Sequence, residues 1–138
     1  MAATGDHRAL RVLLFALSVL EALAGAVLLV APGWALAMVP TVPNNGFVLA
    51  IFMAIGIVLI GLGYLLCVAA RNPTRYVGVI DTLAFMCVGA AAVNVYGVAV
   101  LNLGAFYPSS YIMVRAIVQL ALAVALIALR PKAASAAT

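Results

Sequence analysis

The chain has 138 residues, 69% of them hydrophobic and 7% charged, with a net charge of +4. Soluble domains carry about a quarter charged residues, so an ordinary globular protein is excluded. A β-barrel is excluded as well, because its ~10-residue segments alternate apolar and polar positions, whereas the apolar runs here are continuous.

The expected class is all-α and integral to the membrane, and the length holds four spans in a single domain, 1–138. Residues 1–9 are polar and short, and are expected to fray or to lie at the interface. The first span is predicted over residues 10–30, since ~20 apolar residues at 1.5 Å each cross the hydrocarbon. Arg8 and Arg11 before an apolar run, with Ala35-Leu36-Ala37 after it, have the form of a signal peptide. The run exceeds a ~7–15-residue signal core and contains Glu21, so it reads as a retained span. Ala31-Pro32-Gly33 should end it, with proline breaking the ladder and glycine forming a left-handed cap. Trp34 reads as an interfacial anchor, and 34–39 as a short amphipathic helix on the membrane surface. Pro40, Pro43, Asn44, Asn45 and Gly46 form a turn cluster.

The second span is predicted over 47–70. It carries no charge, and Gly56, Gly61 and Gly63 allow close approach of another helix. Residues 71–75 read as a tight turn. The third span, 76–101, contains Asp81, Cys87 and Asn94, with small residues over 89–92 beginning at Gly89. Residues 102–110 form a second outer loop, and the fourth span covers 111–129. Arg130-Pro131-Lys132 stops that span, and 133–138 should be disordered.

Arg8, Arg11, Arg71, Arg75, Arg130 and Lys132 fall on one side of the predicted topology, and only Arg115 lies near the other. The positive-inside rule then places both termini in the cytoplasm. Short links make successive helices antiparallel neighbours, so an up-down-up-down bundle follows. The basic pI of about 9.5 comes from these helix-end residues and implies no nucleic-acid partner. Cys67 and Cys87 form no C-x-x-C pair and read as small buried hydrophobes.

Four polar residues inside the spans stand out. A carboxylate at mid-bilayer costs at least ~2.5–3.5 kcal/mol by insertion scales, so Glu21 needs a partner, a cavity or water. Counted from the cytoplasmic helix ends at 1.5 Å per residue, Glu21 and Gln119 lie roughly 16 Å deep, Arg115 roughly 22 Å and Asn94 roughly 25 Å. Arg115 and Gln119 share a helix face at i, i+4. Glu21, Asn94, Arg115 and Gln119 are therefore a candidate polar cluster. It reads either as an internal network that fixes helix order or as a ligand-binding pocket for a cation, a proton or an anionic headgroup. Asp81 reads as a helix-start charge paired with Arg71 or Arg75, about 140° around the helix from Asn94. His7 is the only histidine, so no metal site is expected. No nucleophile triad or phosphate loop is present, and neither an enzyme nor a cofactor is indicated.

The segments RVLLFALSVLEALAGAVLLVAPGWA and RNPTRYVGVIDTLAF resemble the DoxX-like group of small bacterial four-helix membrane proteins. That resemblance implies an inner-membrane accessory component with no catalytic residues to carry over. Glu21 also resembles the lone first-helix glutamate of the small multidrug resistance transporters. The aromatic residues expected around such a drug pocket are missing, however, and the one-sided charge argues against dual topology. The favoured expectation is a non-enzymatic subunit that contacts membrane lipids and packs by Gly56, Gly61, Gly63 and Gly89 against a larger assembly or itself. The alternative is a proton-coupled transporter or a lipid- or hydrophobic-ligand-binding protein built on Glu21.

Overall fold

In a computed structural model that describes residues 7–38, 45–101 and 108–131, helices account for 87% of the described residues and no strand occurs among them. The helices are α1 (Arg8–Val30), α2 (Pro32–Ala37), α3 (Gly46–Arg71), α4 (Val77–Ala99) and α5 (Ser109–Ala128). All but α2 are long and apolar enough to cross a membrane, and each lies within two residues of a predicted span. Their outer faces are apolar, with Val30 83%, Phe47 76% and Phe85 77% exposed. Water would penalise so much exposed apolar surface, whereas hydrocarbon does not. The protein is therefore a multi-pass membrane protein. The predicted turn at Pro40, Pro43 and Asn44, most of the 102–110 loop, Lys132 and the 133–138 tail lie outside the described residues, as do residues 1–6.

Proline and asparagine set several helix boundaries. Ala31 leaves the helical region (φ −131°, ψ 55°), as expected of a residue crowded by a following proline ring. Pro32 then opens α2 at its first position, where its missing N–H is no loss. Gly33 therefore lies inside a helix and is not the left-handed cap that the sequence suggested. The short helix forms as expected but starts two residues earlier, at Pro32. Asn45 caps α3 by accepting a hydrogen bond from the Val48 N–H at 3.0 Å. Asn72, again before a proline, leaves the helical region (φ −143°, ψ 76°) and ends α3.

Two compact units divide the chain: residues 11–72, and residues 73–138 together with 1–10. In the first, α1 and α3 run antiparallel along a seam of small residues. A Cβ placed on Gly25 would lie 2.6 Å from the Gly56 carbonyl oxygen, and one on Gly56 would lie 2.7 Å from that of Gly25. The glycines are thus reciprocal, each giving the space that the other's backbone occupies. Seven residues further along both helices, Gly63 lies against Ser18 and Ala22. There the Ser18 hydroxyl donates to the Gly63 carbonyl at 2.7 Å in a buried bond. Gly61 is exposed and has open space where a Cβ would go.

In the second unit α4 packs along α5. Buried Ile80, Ala84, Cys87 and Ala91 recur on α4 at alternating steps of four and three, and Asn94 continues the pattern. On α5, Ile112, Ala116, Ala123 and Leu126 do the same, with Gln119 in the central place. This heptad spacing is that of knobs-into-holes packing. Gly89 lies off the stripe, with open space beside it.

Gly56→Ala should force α1 and α3 apart, because the obstacle is rigid backbone. The expected loss is about 1–3 kcal/mol, as for other overpacked sites. Gly61→Ala should change stability by less than about 0.5 kcal/mol. Circular dichroism of the detergent-solubilised protein during unfolding measures both.

Candidate functional site

Glu21, Asn94, Arg115 and Gln119 are divided between the two units. Glu21 belongs to the α1–α3 unit. It is half-buried and engaged within the protein. Three residues separate it from Ser18, and at 100° per residue it flanks the stripe of Ser18, Ala22 and Gly25.

The other three lie on α4 and α5. The Asn94 Nδ2 donates to the Gln119 Oε1 at 2.8 Å, and both side chains are half-buried. Each occupies a seam position of its own helix, so the bond lies inside the heptad register. An amide at such a position disfavours other registers, because sliding the helices would leave it without its partner in an apolar seam. Arg115, one turn before Gln119, lies at the edge of the α5 stripe and is exposed.

A second polar link closes the far end of the same helix pair. Arg130 grips Asp81 with two parallel bonds, Nε to Oδ1 at 2.6 Å and Nη2 to Oδ2 at 2.7 Å. This corrects the expected pairing of Asp81 with the arginines of the 71–75 turn, since the guanidinium fork comes from the end of α5. Fork-to-carboxylate geometry is the strongest form of this interaction. The hydrogen bond and the charge of Asp81 raise the Arg130 guanidinium above its ordinary pKa. Both side chains are nearly half exposed, so the link acts as a geometric clasp and is screened by salt.

The clasp also explains two departures from expectation. Depths counted from each helix's own end predict Asn94 roughly 9 Å deeper than Gln119, yet the two side chains bond. Asp81 is the fifth residue of α4, while Arg130 lies beyond Ala128 at the end of α5. The helix ends are therefore not level, and counting from the clasp brings the two amides within about 3 Å of each other. Asp81 and Asn94 also lie on different sides of α4, yet both reach residues of the α5 segment. Arg130 can do so because it lies beyond the end of α5 and carries a long side chain.

The seam residues Ser18 and Gly25 and the Asp81–Arg130 pair were not among the sequence candidates. Spacing holds a signal for the first. Ser18 and Gly25, like Gly56 and Gly63, are seven residues apart and so share a helix face. Gly61 falls about 140° round from Gly56. Arg130 had no such signal, because it lies outside any helix periodicity.

A double-mutant cycle of Asn94→Ala and Gln119→Ala should give a coupling of about 0.6 kcal/mol and no more than about 1.7 kcal/mol. Zero coupling would reject the bond as a register device. For the clasp, Asp81→Asn should reduce thermal stability at low salt, and the difference should vanish in molar salt. No protein-family model, curated protein or solved structure matches the chain.

Proposed function

We propose that the protein is a non-enzymatic small membrane component, an accessory or assembly subunit that joins a larger membrane complex or further copies of itself. One observation carries this reading: among the described residues, no buried side-chain nitrogen or oxygen lacks a hydrogen-bond partner. Binding sites keep a few convergent polar groups for their ligand, whereas the interior amides of α4 and α5 are engaged with each other. In this reading the four spans form an antiparallel bundle in a bacterial inner membrane, with both termini on the basic, cytoplasmic side. The DoxX-like resemblance points the same way. The open side of Gly61 supplies a contact face, because a partner helix can approach there without disturbing α1.

Half-buried Glu21, far inside a 23-residue apolar helix, favours a second reading as a proton-coupled transporter or hydrophobic-ligand-binding protein. Its burial in hydrocarbon is costly without a functional or structural return.

Purification in mild detergent distinguishes the two. A stoichiometric complex that Gly61→Leu weakens, with the helix content unchanged, is the outcome expected of the subunit. Release of protons on adding a hydrophobic cation, abolished by Glu21→Gln, is the outcome expected of the transporter.

A further inference from the structure

The α1–α3 unit holds a feature that neither the glycine seam nor Glu21 explains. Beyond the last glycine of the seam, α1 and α3 line an open groove of about 440 Å³. Its position follows from the seam register. Seven residues on from the Ser18–Gly63 level, Arg11 comes level with Ala70, next to Arg71. Both arginines line the groove, and no acidic residue does. One turn further into the span on each helix, about 6 Å deeper, the lining is Phe15 on α1 and Cys67 on α3. Ala70, level with Arg11, and Ala16, next to Phe15, are too small to fill the space.

This end of the pair lies at headgroup depth. The 26 residues of α3 extend about 39 Å, against about 30 Å of hydrocarbon. Arg71, its last residue, therefore stands in the polar region. Two like charges facing one groove repel unless an anion lies between them, and among the described residues neither arginine forms an ion pair. A cationic mouth at headgroup level above an apolar slot matches one kind of molecule that the membrane itself supplies. Basic pockets between spans are the usual seats of anionic lipid headgroups.

We infer that this groove seats an anionic phospholipid, with the phosphate held by Arg11 and Arg71 and an acyl chain lying against Phe15 and Cys67. The arginines act as a pair, because a single phosphate offers oxygens to two guanidinium forks. Zwitterionic lipid also has a phosphate, but its own ammonium or choline group competes for it. The site therefore selects net negative headgroups. The inference does not depend on the subunit reading, since it uses neither Gly61 nor any interior polar group.

The test is native mass spectrometry of the full chain in non-ionic detergent, titrated separately with phosphatidylglycerol and phosphatidylcholine. Phosphatidylglycerol should be retained preferentially. Arg11→Gln and Arg71→Gln should each weaken its retention about fivefold, in line with the contribution of one basic residue near an anionic membrane surface. Arg115→Gln, which removes an exposed arginine elsewhere, should leave retention unchanged. Ala16→Trp, which fills the slot and keeps both charges, should also lower it. Equal retention of the two lipids, or an effect of Arg115→Gln as large as that of Arg11→Gln, would overturn the proposal. So would undiminished phosphatidylglycerol binding by the Arg11→Gln/Arg71→Gln double variant or by Ala16→Trp.

Discussion

Lipid tails are as apolar as leucine, so moving a leucine from lipid into a helix interface gains little. Helices in such a solvent need another reason to stay together, and close backbone approach is one. Gly25 and Gly56 provide it by omission. With no Cβ on either, each backbone presses against the other's carbonyl. Dispersion contacts between backbone atoms become dense at that range, and Cα–H groups come within reach of carbonyl oxygens. The Ser18 hydroxyl adds a buried bond that tolerates little displacement.

The second helix pair meets the same constraint differently. The α4–α5 seam carries Ile80, Cys87, Ile112 and Leu126 among its alanines, so shape alone does not select one alignment of heptad on heptad. Polar groups do so instead. The Asn94–Gln119 bond fixes the alignment within the seam, and the Asp81–Arg130 fork fixes it at one end. One pair is held by what its residues lack and the other by what they carry. The same chemistry accounts for the different treatment of glycine, since Gly89 has no close neighbour to accommodate while Gly56 does.

Much of the architecture was legible in the residues. Continuous apolar runs bounded by prolines and asparagines located four long helices to within two residues, because hydrocarbon permits few alternatives. The glycine pattern of α3 pointed to close packing, but only the seven-residue spacing separates Gly56 and Gly63 from Gly61. Asn94 and Gln119 stood out because amides are rare in such segments, although depth counted from unequal helix ends misjudged their levels. The role of Gly33 was misread because Pro32 suits the start of a helix as well as the end of one. Arg130 lay beyond the reach of periodicity altogether. Its pairing depends on where a chain end turns, and no local pattern encodes that. Arg11 and Arg71 were legible only as orientation signals, because sixty residues of chain separate two side chains that line one groove.

The Asp81–Arg130 fork joins residues 49 positions apart, and translation delivers them in that order. When α4 emerges from the ribosome, the arginine that will hold its carboxylate is still to follow behind it. The fork can form only after the whole of α5 has been threaded and its carboxyl-terminal end has returned to the side from which α4 began. Its closure is thus a late step in biogenesis, and it marks the moment at which the helical hairpin is complete.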